Sequence, residues 1–168
     1  LMVVLEALRG WLDVCEGSAE GIEKIVRSAA RSRAEGETLH LTYTLLLLAR
    51  ARGMVGEFRE GRAATREALS WSHRCSQRYL EAELWRVDGE LAYRSGEREA
   101  AAASLRSAVE TASAQGAGWL ELRALHSFAS RFPDQTLREQ LGDLIETIPS
   151  GHDLPAFRAA TGLLSESG

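Results

Sequence analysis

The stretch Leu80-Glu-Ala-Glu-Leu-Trp85 has a counterpart 40 residues later in Leu120-Glu-Leu-Arg-Ala-Leu125. A shift of 40 residues in the other direction brings His40 to Leu45 into the same frame. Three small residues then share one register: Ala49, Gly89 and Ala129. A glycine inside a helix costs about 1 kcal/mol relative to alanine, so small residues recurring at one register indicate a close helix crossing. The sequence therefore predicts an internal repeat with a period of 40 residues.

A glycine follows the small position by seven residues in three units. These glycines are Gly17, which follows Gly10, then Gly56 and Gly96. Each ends a helical pattern, where a left-handed residue allows the chain to reverse. The second helices repeat at a spacing of four and then three residues, which lines one helical face. The matching sets are Gly61, Thr65 and Ala68 in one unit and Ala101, Leu105 and Ala108 in the next.

Each unit is thus predicted to be a helix, a tight turn and a second helix, in an all-α fold. The predicted helices cover about 2–16, 19–35, 38–53, 56–75, 78–95, 97–115, 118–132, 134–147 and 154–166. They form a single domain over 1–168, with repeats at about 1–36, 37–76, 77–116 and 117–148 and a capping helix at about 154–166. Pro155 suits the first turn of that last helix, where its missing N–H does no harm. We expect Phe157, Leu163 and Leu164 to seal the open apolar end of the array.

Composition and charge exclude several classes of protein. The chain has 24 acidic and 20 basic residues mixed along its length, a net charge of −4, so it offers no basic stripe for nucleic acid. The apolar run Leu45 to Ala49 is far too short to span a membrane, and Leu1 to Leu8 makes a poor signal peptide. Cys15 and Cys75 lack metal-ligand spacing and indicate free thiols in the cytoplasm. The chain also reads as an excised part of a larger protein.

No residue pattern in the chain indicates catalysis, a metal site or a cofactor. The histidines His40, His73, His126 and His152 lie far apart, and the sequence has no Gly-rich phosphate loop. Acidic residues three or four positions from arginine on a helix, such as Glu83 and Arg86, are expected to be solvated pairs. The tryptophans are expected to pack in the core, with Trp11 the least clear of them. The prediction is therefore a protein that is not an enzyme and carries no metal or cofactor.

The repeat resembles the tetratricopeptide (TPR) signature, which places Trp, Leu, Gly and Tyr on the first helix and Ala, Phe and Ala on the second. Residues at matching spacings are Trp85, Gly89, Ala101, Leu105 and Ala108. Asp88 and Ala92 stand where the signature has Leu and Tyr. The resemblance implies a TPR-like α-solenoid, a right-handed superhelix of antiparallel helix hairpins with about four repeats and a capping helix.

Three segments resemble a carboxy-terminal repeat region of large bacterial regulators, which are predicted-ATPase proteins with nucleotide-cyclase or LuxR-type or SARP-type transcription-factor domains. The segments are Gly17-Ser-Ala-Glu-Gly-Ile22, Glu81-Ala-Glu-Leu-Trp-Arg-Val-Asp-Gly-Glu-Leu91 and Leu120-Glu-Leu-Arg-Ala124. Gly151-His-Asp-Leu-Pro155 is similar to the linker before the last helix of that family. Departures gather in the fourth repeat, where Thr136 replaces a usual Gly and Leu141 and Ile148 replace small residues. The resemblance implies a cytoplasmic scaffold or sensing role in signal transduction or transcription regulation.

In a stack of helix hairpins the first helices line the concave side, so a partner is expected to contact their inward positions. The register of Ala49, Gly89 and Ala129 predicts these groove residues: Tyr43, Leu46, Arg50, Glu83, Arg86, Glu90, Tyr93, Arg123 and His126. Tyrosines and arginines are enriched at protein interfaces and suit peptide carboxylates. The partner is therefore expected to be a protein or peptide, which includes other domains of the parent chain, and not nucleic acid or membrane.

Three alternatives to this groove remain open. The groove is merely solvated, or it is filled by another part of the parent protein. In the third alternative the domain senses a small-molecule effector of a transcriptional activator, which requires a dry apolar pocket. A homodimer through the repeat end near Leu1 to Leu12 is a separate expectation, since end faces of a repeat array are apolar.

Overall fold

Nine α-helices make up the part of the chain that the computed structural model describes, residues 2–36, 38–76, 78–148 and 154–165. They are α1 (Met2–Cys15), α2 (Glu20–Glu35), α3 (Thr38–Met54), α4 (Phe58–Cys75), α5 (Glu81–Arg94), α6 (Arg98–Ala114), α7 (Gly118–Arg131), α8 (Gln135–Thr147) and α9 (Pro155–Ser165). A short 3-10 turn at Arg78–Leu80 precedes α5, and these ranges contain no strand. The prediction of an all-α protein is confirmed. Leu1, the predicted linker at 151–153 and position 166 lie outside the described residues.

The turns between paired helices follow the spacing of the glycines. Gly56 and Gly96 have φ values of +87° and +85°, a left-handed conformation that few other residues adopt readily. The residue after each of them, Glu57 and Glu97, is also non-helical, with ψ of 62° and 68°. Because two residues are used in this way, α4 begins at Phe58 instead of the predicted position 56.

The odd-numbered helices form a continuous row. Each of α3, α5 and α7 packs against the helix before it, the helix after it and the neighbouring odd-numbered helices on both sides. Helix α9 packs on both α7 and α8 at one end of this row. Side chains that project from α3, α5 and α7 are therefore brought together across residues about 40 apart in the sequence. No helix among the described residues combines the length and the hydropathy needed to cross a membrane.

Small residues allow the close helix crossings that the repeat predicts. A Cβ atom on Gly89 of α5 would lie 2.6 Å from Cγ and 3.1 Å from the backbone N of Leu105 in α6. A Cβ on Gly61 of α4 would lie 3.0 Å from the carbonyl oxygen of Ala49 in α3. Larger side chains at these points would push the paired helices apart. The register chosen from the sequence is thus the register at which the helices touch.

The apolar core is divided into two clusters within the described residues. One runs from α1 to α5 and includes Ile25, Leu45 and Leu84, while the other joins α6 to α9 and includes Leu141 and Phe157. Leu141 is fully buried and Phe157 is 8% exposed. Leu163 and Leu164 are partly buried against the same second cluster. The large residues of the fourth unit therefore pack with the last helix.

A buried polar cluster joins α4, α5 and α6 at the position where Asp88 replaces the usual leucine. The Asp88 carboxylate, 2% exposed, accepts hydrogen bonds from Arg62 Nε and Nη2 at 3.1 and 3.2 Å. It also accepts from the hydroxyls of Thr65 at 2.9 Å and Ser104 at 2.7 Å. Burial alone would lower the pKa of Arg62, but its hydrogen bonds to Asp88 and Glu97 raise that pKa above its usual value. Asp88 thus holds three helices together through a charged centre.

Candidate functional site

Glu83 of α5 is the centre of an ion-pair network that spans α3, α5 and α7. Its carboxylate accepts hydrogen bonds from Arg86 Nε and Nη2 at 2.9 and 2.8 Å. Arg123 Nη2 of α7 donates to it at 3.0 Å, and Arg50 Nη2 of α3 donates to the same oxygen. Three guanidinium groups from three helices therefore converge on one carboxylate.

Glu90, about two turns further along α5, forms a second acidic point in the same network. Its Oε1 lies 2.7 Å from Arg86 Nη1 and 3.1 Å from Arg131 Nη2 of α7. The hydroxyl of Ser127 donates to Glu90 at 2.9 Å and accepts from Arg86 Nη1 at 3.1 Å. Arg86 therefore connects the two acidic residues, and we call these residues the arginine network: Arg50, Glu83, Arg86, Glu90, Arg123, Ser127 and Arg131.

The expectation that Glu83 and Arg86 form a solvated pair is wrong. Glu83 is 4% exposed and Arg86 is 8% exposed. The reason is tertiary, because α3 and α7 pack on either side of α5 and cover both side chains while supplying further charged partners. A spacing of three residues along one helix gives no sign of this burial.

The charges around Glu83 control its protonation. Burial by itself would raise the pKa of Glu83, but the hydrogen bond from Arg86 and the charges of Arg86, Arg50 and Arg123 lower it to about 2. Burial lowers the pKa of Arg123, and the attraction of Glu83 only partly offsets burial and the repulsion from Arg86 and Arg50. Glu83 is thus ionised throughout the physiological pH range.

The arginine network carries more positive than negative charge. It contains four guanidinium groups and two carboxylates, a net charge of +2. The side chains of Arg50, Arg123 and Arg131 are 30%, 35% and 24% exposed, so they reach solvent at the edge of the network. Partly buried guanidinium groups in excess of carboxylates attract anionic groups more strongly than fully solvated ones do.

His126 borders the network on α7 and adds no charge to it at neutral pH. Burial lowers the pKa of His126, and the nearby charges of Arg131 and Arg86 lower it further against the attraction of Glu90. The imidazole is therefore neutral in the folded protein at a pH where an unfolded chain already begins to bind a proton.

This lowered pKa predicts a measurable dependence of stability on pH. Below the ordinary histidine pKa of 6.5 the unfolded chain binds more protons at His126 than the folded chain, so stability falls as pH falls. We expect the wild type to lose more free energy of unfolding than His126→Gln between about pH 7.5 and about pH 5.5, as measured by urea unfolding. An equal loss in both proteins would contradict the placement of His126 beside these arginines.

A cleft of about 260 Å³ opens next to the network. Its walls include Trp11 of α1, Arg50, Arg86, Arg94 and Arg131, with Glu90 as the acidic residue. Arg94 donates to the carbonyl oxygen of Gly53 at 2.9 Å and stacks on the Phe58 ring at 4.6 Å, so its position is set by α3 and α4. The cleft combines an aromatic wall with several oriented cations.

The nine predicted groove residues divide into three groups in the structure. Arg50, Glu83, Arg86, Glu90 and Arg123 meet in the arginine network, with His126 beside it. Tyr93 lies in a neighbouring aromatic cluster, edge-on to Phe132 at 5.6 Å. Tyr43 is partly buried against the core, and Leu46, at 3% exposure, belongs to the core itself. Leu46 is therefore inaccessible to a partner, because α1, α2 and α4 pack around α3.

Sequence reasoning missed Trp11, Arg94, Ser127 and Arg131. Arg131 lies two positions after the small residue Ala129, a register occupied by the buried Leu91 in the preceding unit, so its register alone points to the core. One signal was available in the repeat itself, because Glu83 and Arg123 are separated by one period of 40 residues and pair directly. Opposite charges at the same register of adjacent units predict such contacts.

Within the described ranges, no group of three or more His, Cys, Asp or Glu side chains is placed to hold a metal ion. Cys15 is exposed and Cys75 is half-buried, and both are free thiols. The polar chemistry of this surface is therefore that of ion pairs and hydrogen bonds.

Comparison with known proteins gives one partial match and no family. No family model matches the chain. An uncharacterized protein of Rhizobium meliloti (strain 1021) is 34% identical to it over 120 residues. The match covers 70% of this chain and 12% of the Rhizobium protein, so the chain spans a small part of that relative's length.

Proposed function

We propose that this chain is a non-catalytic, TPR-like scaffold that binds an acidic polypeptide segment on the arginine network, within a larger bacterial regulator. In this proposal the helix pairs continue as a right-handed superhelix, and the row of α3, α5 and α7 lines its concave side. The resemblance of the repeat to the TPR signature supports the architecture. The similarity to a much longer bacterial protein is compatible with a role inside a larger cytoplasmic regulator of signalling or transcription.

The observation that carries this proposal is the net charge of +2 on the arginine network. Two uncompensated guanidinium groups favour a ligand with at least two carboxylates, because each can accept paired N–H donors from arginine. The guanidinium groups are already oriented by Glu83 and Glu90, so a bound carboxylate orders few additional side chains. A polypeptide with adjacent acidic residues fits both requirements.

The size of the cleft favours a polypeptide over a small-molecule effector. Pockets for drug-sized ligands occupy roughly 300–1,000 Å³ and are mostly apolar. The cleft beside Trp11 has about 260 Å³ and four arginines on its walls. It therefore suits one side chain of an extended segment better than an enclosed effector.

A matched pair of peptides tests this function. We expect a short peptide with several glutamates to shift the NMR resonances of the side-chain Nε–H groups of Arg50, Arg123 and Arg131, because these groups donate to the carboxylates. The twin peptide with glutamine in place of glutamate should leave those resonances unchanged. Equal responses to both peptides would show that the charge on the network is not what binds.

The double variant Arg123→Gln with Arg131→Gln brings the network to zero charge while Arg50 and Arg86 still pair with the two acids. We expect the affinity for the glutamate peptide, measured by calorimetry, to fall at least about tenfold, because each charge-assisted hydrogen bond contributes roughly 1.5–3 kcal/mol. The matched control is Arg59→Gln, an exposed arginine of α4. Retention of affinity in the double variant, or an equal loss in the control, would refute the proposal.

A further inference from the structure

One face of α1 exposes residues that are buried at the same register elsewhere in the molecule. Met2, Leu5 and Leu12 are 72%, 47% and 58% exposed, and Arg9 between them is also exposed. Their spacing places them along a single stripe of the helix. We call these four residues the α1 face, and it is separate from the arginine network.

The helix crossings fix which residues of α3 and α5 correspond to the α1 face. A Cβ on Gly10 of α1 would lie 2.5 Å from the carbonyl oxygen of Gly21 in α2, as Ala49 in α3 lies against Gly61 of α4. Gly10 therefore aligns with Ala49 and Gly89. The residues that align with the α1 face are Leu41, Thr44, Leu48 and Ala51 in α3, and Glu81, Leu84, Asp88 and Leu91 in α5, each at most 6% exposed.

A preceding helix covers this register in both α3 and α5. On α5, the covering helix is α4, whose Ser72 donates to Glu81 at 3.0 Å and whose Arg62 donates to Asp88. A Cβ on Gly61, near the start of α4, would lie 2.9 Å from the end of Leu91. The order of these contacts shows that α4 runs antiparallel to α5. Helix α2 covers α3 in the same way, with Val26 and Ala29 beside Leu48.

The charge at this register is inverted on α1. Arg9 aligns with Asp88, which receives Arg62 from the covering helix α4. Arg27 of α2 aligns with Glu67 of α4, which receives Arg33 from the covering helix α2 at 2.7 Å. The two places where a covering helix contributes arginine to an acid elsewhere are thus occupied by arginine here, so the complementary helix must contribute acids.

A depression of about 400 Å³ between α1 and α2 has the same charge. Met2 and Leu5 form its apolar part, and its charged residues are Glu6, Arg9, Lys24, Arg27 and Arg31, a net charge of +3. Apolar side chains bordered by cations suit an amphipathic helix with acidic residues beside its apolar stripe.

We propose that the α1 face binds an acidic amphipathic helix of a partner polypeptide, in the antiparallel position that α4 takes on α5. Small residues of the partner helix lie against Leu12, as Gly61 lies against Leu91, and one of its carboxylates accepts from Arg9. This interaction adds a second binding surface to the chain and does not depend on the arginine network.

The sequence of α4 provides a matched probe for this face. The probe is a labelled peptide of residues 58–75 with Arg62→Glu, and the control peptide keeps Arg62; both carry Cys75→Ser so that neither forms disulfides. Binding to the whole chain is followed by fluorescence anisotropy. We expect the Glu peptide to bind at least tenfold more tightly than the Arg peptide, since an acid at this position meets Arg9. In the variant Arg9→Glu the preference should reverse.

Three outcomes would overturn the proposal. The first is equal binding of both peptides, and the second is binding that survives Leu5→Asp, which places a charge in the apolar stripe. The third is a concentration-dependent dimer in sedimentation that Leu5→Asp dissolves, which would assign the α1 face to a second copy of the chain. The double variant Arg123→Gln with Arg131→Gln serves as a control, because it should bind the Glu peptide like the wild type even if the proposed function fails.

Discussion

Glu83→Gln is expected to lower the free energy of unfolding by about 3 kcal/mol at neutral pH, because it removes the buried acceptor on which Arg50, Arg86 and Arg123 converge. Loss of one partner from a buried ion pair costs about 3–5 kcal/mol, and the lower end applies since Arg86 keeps Glu90. Urea unfolding measures the change directly. The control Glu110→Gln, at an exposed position of α6, should change stability by at most about 0.5 kcal/mol.

The same substitution should remove part of the acid sensitivity of the fold. The pKa of Glu83 is lowered from its ordinary value of 4.5 to about 2. Its contribution to stability is therefore complete above about pH 4.5 and is lost as pH falls towards 2, with a total of roughly 3 kcal/mol. Glu83→Gln should lose less stability than the wild type across this window. Parallel pH profiles would contradict the account of Glu83 as an ionised centre.

Asp88→Leu is expected to destabilise the protein by about 3 to 5 kcal/mol, although it restores the residue that the TPR signature has at this position. The buried guanidinium of Arg62 would keep only Glu97, at 2.6 Å, and the hydroxyl of Ser104 would lose its carboxylate partner. Thermal or urea unfolding of the single variant measures this loss. A change below about 1 kcal/mol would mean that the Asp88 cluster contributes little to stability.

The double variant Arg62→Met with Asp88→Leu separates the ion pair from the packing around it. Replacing both partners of a buried pair with apolar residues of similar size is often neutral or stabilising. We therefore expect the double variant to recover most of the stability that Asp88→Leu loses. A loss equal to the sum of the two single losses would contradict this, because independent sites add and coupled sites do not.

These two clusters place rigid, oriented charges at the contacts between helix pairs. Glu83 and Glu90 hold arginines from α3, α5 and α7 in one arrangement, so the proposed acidic partner meets donors that are already positioned. Asp88 holds α5 against α4 and α6. The stability and the proposed binding of this chain thus depend on the same row of helices.

Helical periodicity and the positions of small residues were sufficient to predict the all-α fold. The register of Ala49, Gly89 and Ala129 predicts where helices cross, because a close crossing excludes any larger side chain. The glycines at 56 and 96 predict the turns, because these turns need a left-handed residue. The same register also identified five of the residues that meet in the arginine network. Such features are local, so they can be read along one chain.

Burial and pairing of the charged side chains were decided by tertiary structure. Glu83 and Arg86 have the spacing of a solvated pair, and only the packing of α3 and α7 on α5 buries them. Arg131 and Trp11 join the surface because helices distant in sequence lie side by side. The sequence by itself determined the helices and their crossings, since backbone conformation and steric fit act over a few residues. The tertiary structure alone decided which charges are buried, since desolvation depends on every helix packed around them.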